Sequence, residues 1–340
     1  MNSSSSKQPA SAQVSNAHDP VLVIAVSSRT LFDLSYEHDI YLKDGVDEYR
    51  KHQLAHETEV LNSGIAFSLV KKLLAIKHPE TNLPLVEVIL VSRNNGDTGL
   101  RIFNSIQHYN LNIQRAAFSN GKSPYAYLKA FGAHLFLSAH NQDVELALKA
   151  GYASAHLLTR NLEKNLTSGD NNQVRIAFDG DAVLFSDDSE KIYKQEGLAA
   201  FKDNEQKKAG IPLTGGPFKP FLLALHNLQS LFKVDETPIR TALVTARSAP
   251  SHKRVILTLR EWGIRIDEAL FVGGLDKAEF LKAFKADIFF DDQLIYIQSA
   301  SNNRLTSGHV PYGVANANNT TSSSENSDHF ARFTCKRKNN

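Results

Sequence analysis

Four carboxylates in the second half of the chain have the types and spacing that could hold a metal ion. Asp179 and Asp181 follow one short apolar run, and the adjacent pair Asp291 and Asp292 follows another. Carboxylates that converge in one crevice repel one another and raise each other's pKa unless a cation neutralises them. A ligand set made of oxygens alone favours Mg²⁺ over zinc. The four acids therefore predict a magnesium site, the alternative being two pairs of solvated loop acids.

Two further residues lie between these acid pairs and could bind a small anion. Thr245 ends the apolar run 243–245 and offers a hydroxyl, and the backbone N–H of Ala246 follows it at a predicted helix start. An ordinary helix N-cap is the alternative for this threonine. Lys277 begins another predicted helix, where a cation opposes the helix dipole. Because that position is mildly unfavourable for a lysine, a ligand-binding role is favoured.

The segment that holds these residues repeats an earlier part of the chain. A shift of 152 residues lays Ile24-Ala25 on Ile176-Ala177, and a shift of 153 lays Leu128–Phe131 on Leu281–Phe284. Ordered matches over about 120 positions indicate a duplicated domain rather than a short repeat. We call the two parts the first and the second copy.

The first copy lacks the acids. Ser27 and Arg29 stand at the positions of the first acid pair, and the predicted binding candidates in this copy are Arg29, Ser92, Arg93 and Asn94. If the first copy folds like the second, its crevice holds two arginines and no carboxylate, which favours an anion without a metal ion. The ligand is then the phosphate of a regulatory nucleotide or of substrate reaching across from the second copy. The alternative is a decayed domain whose arginines form structural ion pairs.

Short apolar runs alternate with helical patterns in both copies, which is typical of parallel α/β units. Strands are predicted at 21–26, 86–92, 116–118, 134–137, 174–178, 242–245, 269–272 and 287–290, and helices at 67–76, 98–109, 124–131, 218–232, 251–262 and 277–284. The chain divides into a disordered Ser-rich head (1–19), a first copy (20–158), a polar linker (159–172), a second copy (173–304) with a cap insertion at 186–240, and a largely polar C-terminal extension (305–340).

Bulk composition restricts the class of protein. The chain has 340 residues, of which 42% are hydrophobic, and a net charge of +2, so two ordinary domains are expected and a nucleic-acid partner is not. Its single cysteine, Cys335, excludes an internal disulfide framework and fits a reducing compartment. The sequence contains neither a secretory signal pattern nor an apolar run of ~18 residues. We therefore expect a cytoplasmic protein without a membrane partner, and the oligomeric state stays open.

In chain order, the acid, hydroxyl, lysine and acid positions resemble the four motifs of the haloacid-dehalogenase-like phosphohydrolases. Neighbouring residues are similar to those of the cytosolic 5′-nucleotidase type I family, in segments 92–94, 97–99, 178–190, 243–250 and 308–314. The resemblance extends from about residue 21 to residue 314. It implies an α/β fold of two Rossmann-like, haloacid-dehalogenase-like units with small cap insertions, the first degenerate and the second catalytic.

The resemblance also implies a reaction and a role for each residue. The expected reaction is Mg²⁺-dependent hydrolysis of nucleoside 5′-monophosphates, with AMP favoured. Asp179 is expected to attack phosphorus and form an aspartyl-phosphate, while Asp181 protonates the leaving oxygen and then activates water. Thr245, Ala246 and Lys277 are expected to hold the phosphoryl oxygens. The expected metal ligands are Asp179, Asp181, Asp291 and Asp292, and the choice within the last pair stays open.

Residues outside these motifs recognise the leaving group, so the motifs do not decide between alternative substrates. Arg247 and Phe201 are candidates for substrate or effector contacts. Phe201, Tyr193 and Phe218 could stack on a base or could equally be core aromatics. The rival functions are a phosphatase of another small ester, such as a sugar phosphate, and a non-catalytic nucleotide-binding regulator.

Overall fold

The computed structural model of the protein describes residues 20–159 and 173–317, and the strands in these residues form one ten-stranded sheet. The predicted disordered head, nearly all of the predicted linker and the chain beyond 317 lie outside the described residues. The strands are β1 (Leu22–Val26), β2 (Val86–Ser92), β3 (Ala116–Phe118), β4 (Leu135–Ser138), β5 (Ser154–Leu157), β6 (Val174–Phe178), β7 (Ile239–Thr245), β8 (Glu268–Phe271), β9 (Ile288–Asp291) and β10 (Ser307–His309).

The two halves of the sheet have the same strand order. The order across the sheet is β3-β2-β1-β4-β5-β10-β9-β6-β7-β8, so β1 and β6 hold equivalent places on either side of the β5–β10 junction. Every neighbouring pair is parallel except β5 and β10. The large, mostly parallel sheet confirms the predicted α/β class. The common order is what a duplication would produce, and the duplication itself stays a prediction.

The single antiparallel junction reverses the direction of one half relative to the other. Because β1, β4 and β5 are parallel to one another and β10, β9 and β6 are parallel to one another, β1 runs opposite to β6. The carboxyl ends of parallel strands form the ligand crevice of an open α/β sheet. The crevice of the first half therefore opens at one end of the strands, and the crevice of the second half opens at the opposite end.

The described helices cover both faces of the sheet. They are α1 (Ser28–Leu31), α2 (Ser35–Ala55), α3 (Phe67–Leu74), α4 (Leu100–His108), α5 (Leu128–Phe131), α6 (Asn141–Lys149), α7 (Asp188–Lys207), α8 (Lys219–Gln229), α9 (His252–Glu261), α10 (Ala278–Phe284) and α11 (Leu294–Asn302). Helices α2 and α7 are each interrupted at a glycine, Gly45 with φ 87° and Gly197 with φ 84°. This left-handed conformation suits glycine and breaks each helix into two segments.

Both faces of the central strands are covered, which explains why these strands are continuous apolar runs in the sequence. Alternate residues of β1 point to opposite faces, and Ile24 and Val26 join a hydrophobic cluster that continues across both halves of the sheet. On the other face, Val23 and Ala25 belong to a separate cluster confined to the first half. Helix α3 of the first half contacts β6, and helix α8 of the second half contacts β1. Each half thus packs one of its helices on the other half. The shared cluster makes the two halves one packed unit.

The C-terminal segment differs from its prediction as an extension outside the second copy. Strand β10 lies in the middle of the sheet, where Gly308 pairs with Leu157 and Phe290. A Cβ on Gly308 would come 2.8 Å from the Ala155 Cβ, so only glycine fits between the two halves. The residue run Ser307–His309 is too short and polar to signal a strand by its pattern. Among the described helices, none is long and apolar enough to cross a membrane.

Candidate active site

Three of the predicted acids meet at the carboxyl ends of neighbouring strands. Asp179 follows β6 and Asp291 ends β9, and these strands pair in parallel with Phe178 beside Phe290. The Asp179 N–H donates to the Phe290 carbonyl at 2.8 Å, which fixes the loop after β6. Carboxylate oxygens of Asp179, Asp291 and Asp292 lie within 4.8 Å of one another, and all three residues are buried.

Lys277 lies between two of these acids. Its Nζ is 2.8 Å from Asp179 Oδ1 and 2.7 Å from Asp291 Oδ2. The side chain is 1% exposed and precedes α10, and its ammonium lies 4.4 Å from the centre of the Tyr296 ring. Burial alone would lower the pKa of Lys277, but the two carboxylates outweigh burial and raise it. The structure thus joins the predicted lysine and acids into one charged cluster.

The cluster contains three acids and one lysine, so its carboxylates are not fully neutralised. Burial raises the pKa of Asp179 to about 7, although the charge of Lys277 opposes the shift. Burial likewise raises the pKa of Asp291, and burial and the neighbouring Asp291 raise that of Asp292 well above its usual range. Asp292 Oδ2 is buried without a hydrogen-bond partner among the described residues. A divalent cation would supply the missing charge and partner, so the donor set fits Mg²⁺.

The carboxylate of Asp181 lies outside this cluster, and its role as a metal ligand stays a prediction. Arg247 holds it by two hydrogen bonds, from Nε to Oδ2 at 2.8 Å and from Nη2 to Oδ1 at 2.6 Å. The loop reverses direction directly after Asp181, since Ala182 has φ 60°. This turn directs the Asp181 side chain towards β7 and α7 rather than towards Asp291. The sequence could not reveal this pairing because 66 positions separate the two residues.

A buried acid missed by sequence reasoning anchors this arginine. Glu205, near the end of α7, is fully buried and accepts hydrogen bonds from Arg247, from Arg254 at 2.8 Å and from Ser189 at 2.8 Å. Burial alone would raise the pKa of Glu205, but the two arginines outweigh it and lower the pKa. Glu190, in the first turn of α7, was missed as well. Its Oε2 is buried without a partner among the described residues, and its charge acts on Asp291 and Asp292.

The predicted anion-binding residues lie beside the acids. Thr245 ends β7 and is buried, and its Oγ1 accepts a hydrogen bond from the Arg247 N–H at 3.3 Å. A Cβ on Gly180 would come 3.2 Å from that Oγ1, so the loop after β6 packs tightly on Thr245. Ala246 follows in an exposed loop between β7 and α9. Thr245 and Lys277 therefore both lie beside the loop that carries Asp179, and the role of Ala246 stays a prediction.

The aromatic candidates divide into two groups. Phe218 is fully buried, with its ring 4.9 Å from that of Phe290, so it is a core residue. Phe201 lies on α7, where its ring packs against Tyr193 and lies 5.3 Å from the Arg247 guanidinium carbon. Tyr193 is half exposed. Phe201 and Tyr193 thus flank the site, whereas Phe218 does not.

The C-terminal segment also contributes to the site. His309 Nε2 and Asn316 Nδ2 donate to the Asp292 carbonyl at 3.0 and 2.9 Å. Gly313, with φ 79°, packs so closely on the loop after β6 that a Cβ there would come 2.8 Å from the Ala182 Cβ. The segment predicted as an extension therefore supports the acid cluster by hydrogen bonds and close packing.

The first-half candidates lie away from these residues, at the opposite end of the strands. Ser92 shares a hydrogen bond with Ser28 at 3.0 Å. Arg93 donates to both oxygens of Asp143 on α6, at 3.0 and 2.6 Å, and to the Gly121 carbonyl. The prediction that this crevice holds no carboxylate was wrong, because Asp143 lies within the first copy, on α6, but at none of the positions that the repeat matched. Arg29 follows β1 and Asn94 follows β2, so both lie at this crevice.

Comparison with known proteins agrees with this arrangement. The family model described as 5′-nucleotidase matches residues 14–317. The chain is 40% identical over 290 residues to a human protein named cytosolic 5′-nucleotidase 1B, a match that covers 82% of this chain and 47% of the human one. The chain thus spans about half the length of this curated relative. No solved structure matches the chain. These matches confirm the resemblance drawn from the sequence motifs, and the chain belongs to the 5′-nucleotidase family.

Proposed function

We propose that the protein is a Mg²⁺-dependent 5′-nucleotidase that hydrolyses nucleoside 5′-monophosphates, with AMP preferred, through an aspartyl-phosphate. The observation that carries the proposal is the buried cluster of Asp179, Asp291 and Asp292 around Lys277. Family membership and the name of the human relative support the reaction class.

The residues that would hold the metal ion are Asp179, Asp291 and Asp292. They offer oxygen ligands alone, and one of these oxygens is buried without a hydrogen-bond partner in the described part of the chain. A bound Mg²⁺ would neutralise charge on the phosphoryl oxygens and on the acids around them. The same charge would lower the raised pKa values of these acids and keep Asp179 ionised at neutral pH.

Asp179 is the proposed nucleophile. One of its oxygens forms a bond to phosphorus while the bond between phosphorus and the nucleoside 5′-oxygen breaks, which leaves an acyl phosphate on Asp179. Lys277 and the Thr245 hydroxyl contact the phosphoryl oxygens, where charge accumulates in the transition state. Water then attacks phosphorus and releases inorganic phosphate, so that one water is consumed for each nucleoside formed.

Asp181 is the proposed proton carrier for both steps. It gives its proton to the departing 5′-oxygen and later takes one from the attacking water. Both of its oxygens accept hydrogen bonds from Arg247, so this pair must open for proton transfer. A substrate phosphate competes with a carboxylate for an arginine fork. Arg247 therefore couples phosphate binding to the release of Asp181.

Phe201 is the proposed contact for the base. Its ring packs on the Arg247 guanidinium at the side of the site, in the helix that enters the predicted cap insertion. A base stacked on this ring would place its phosphate towards Arg247 and Lys277. A sugar phosphate has no aromatic base that could stack on this ring.

A substrate panel tests the proposal directly. Phosphate release is measured with AMP, IMP, UMP, deoxynucleotides and ribose 5-phosphate, each with Mg²⁺ and with EDTA. We expect Mg²⁺-dependent release from nucleotides, fastest with AMP. Faster hydrolysis of ribose 5-phosphate would identify a sugar phosphatase, and absence of release from every nucleotide would leave a non-catalytic nucleotide-binding protein.

A further inference from the structure

The crevice of the first half differs in charge from the active site at two equivalent positions. Arg29, in α1 directly after β1, stands 152 positions before Asp181, and Asn94, directly after β2, stands 153 positions before Arg247. The acid and arginine of the second half are thus replaced by an arginine and an amide. The elements around them have the same order in both halves.

Arg29 is partly buried and has no carboxylate within 4.0 Å among the residues that the structure describes. Other buried arginines of the chain are compensated: Arg101 donates to Glu37 at 2.7 Å, and Arg247 and Arg254 share Glu205. Burial lowers the pKa of Arg29, and the opposing attractions of Tyr49 and Asp39 do not restore it. An arginine held this way loses hydration without gaining a partner, which is unfavourable unless an anion arrives.

Two buried nitrogens near Arg29 also have no hydrogen-bond partner among the described residues: the amide nitrogen of Asn94, which can only donate, and Nδ1 of His140, which donates in one of the two neutral tautomers. The Tyr49 hydroxyl donates to Asn94 Oδ1 at 3.1 Å, which fixes the amide and leaves Nδ2 as its donor. Asn94 Nδ2 is buried without a partner among the described residues, and so is His140 Nδ1, whose nearest carboxylate oxygen on Asp143 is 3.8 Å away. Buried polar atoms in native proteins are nearly always satisfied, so two orphans in one crevice indicate a missing acceptor.

The remaining charges in the crevice are balanced. Arg93 donates two hydrogen bonds to Asp143, and among the described residues Asp143 forms no ion pair with Arg29. Burial first and the charge of Arg29 second lower the pKa of His38 to about 4, so His38 is neutral at physiological pH. Arg29 is thus the uncompensated charge of the crevice.

We propose that this crevice is a second binding site, which takes a small phosphate-bearing anion without a metal ion. Arg29 supplies the charge, and Asn94 Nδ2 and His140 Nδ1 supply hydrogen bonds to the phosphate oxygens. An arginine with flanking amide and ring N–H donors suits a phosphate monoester. Ser27 and Ser138 stand at the positions of Asp179 and Asp291, so the first half lacks the cluster of carboxylates that would hold a metal ion in the second half.

The ligand at this site is separate from a substrate in the active site. Strands β1 and β6 lie five inter-strand steps apart and run in opposite directions. At about 4.8 Å for each step, the two strands are roughly 24 Å apart. One mononucleotide cannot reach both crevices, which argues against the alternative of substrate reaching across from the second half.

Thermal unfolding in EDTA tests the site without measuring turnover. The ligands are inorganic phosphate and AMP, and the variants are Arg29→Gln and the control Arg50→Gln, an exposed arginine paired with Asp97 in the same half. Wild type and R50Q should gain stability with ligand, as any ligand that binds only the folded state provides. R29Q should melt no earlier than wild type without ligand, because it removes an uncompensated charge, and should lose the ligand response.

A second variant keeps the test valid if R29Q folds poorly. Asn94→Asp preserves shape and replaces the free amide donor with a negative acceptor, so phosphate affinity by calorimetry should fall about tenfold or more. A response to phosphate alone identifies the phosphate group as the ligand, and a stronger response to AMP identifies a mononucleotide. The proposal is wrong if neither ligand stabilises the wild type, or if R29Q and N94D bind as wild type does. Because no arm depends on hydrolysis, loss of the proposed catalytic function would leave these results unaffected.

Discussion

Arg247 donates hydrogen bonds to both carboxylate oxygens of Asp181, and its third nitrogen reaches the fully buried Glu205. The arginine is 2% exposed, so its charge is neutralised by two acids away from solvent. Charged hydrogen bonds of this kind are strong when all partners are present. The relationship ties the proposed proton carrier to helix α7.

Arg247→Lys should weaken substrate binding and stability together. A lysine keeps the charge but cannot form the planar fork, so at least one hydrogen bond to Asp181 or Glu205 is lost. The free energy of unfolding should fall by about 2 kcal/mol, and the KM for AMP should rise about tenfold. Arg260→Lys, at an exposed position of α9, is the control and should behave as wild type. An unchanged KM would remove Arg247 from the substrate site.

Asp179→Asn should abolish turnover without unfolding the protein. The amide has nearly the same shape but is a very poor nucleophile, so kcat should fall by about a thousandfold or more. Asp188→Asn, at an acid that is largely exposed at the start of α7, serves as the control and should retain activity. If D179N kept more than about a tenth of wild-type kcat, a barrier change under ~1.4 kcal/mol, another residue would be the nucleophile.

Chelation should stop the reaction, and Mg²⁺ should restore it. Asp291→Asn and Asp292→Asn should each raise the Mg²⁺ concentration needed for half-maximal activity, because the cluster has few oxygen ligands. The variant with the larger shift identifies the acid that contacts the metal. Activity that persists in EDTA, or that requires Zn²⁺ instead, is incompatible with the site.

Asp292→Asn should stabilise the metal-free protein near neutral pH. Burial and Asp291 raise the pKa of Asp292 in the fold, so the folded state holds its proton to higher pH than the unfolded chain does. Wild-type stability therefore falls as pH rises from the ordinary aspartate pKa towards the raised one. In EDTA, the Tm of D292N should exceed that of wild type at about pH 7.5 and by less at about pH 5. An equal difference at both pH values would show that Asp292 does not titrate in this way.

Phe201→Leu should separate nucleotides from sugar phosphates. If the ring stacks on the base, the KM for AMP should rise about fivefold or more. The KM for ribose 5-phosphate should stay unchanged, since it has no base. Tyr193→Leu, at the half-exposed neighbouring ring, is the comparison. Equal changes for both substrates would make Phe201 a packing residue that supports Arg247.

The sequence by itself determined the strands and the acids at their ends. Segments 86–92, 116–118 and 174–178 were predicted with the bounds that the structure has. The first and third of these are buried on both faces, and such a strand is a run of apolar residues that can be recognised without its neighbours. Asp179 and Asp291 then had to meet, since the carboxyl ends of parallel strands share an edge. The family followed from the same local motifs.

Only the tertiary structure decided the partners of the charged groups and the direction of the two halves. Asp181 turns away from the acid cluster to Arg247, and Arg93 pairs with Asp143, because a charge leaving water takes the nearest opposite charge, wherever it lies in the sequence. The short strand β10 reverses one half relative to the other through two pairs with β5. Such pairing rests on contacts between distant segments, and for that reason no local pattern encodes it.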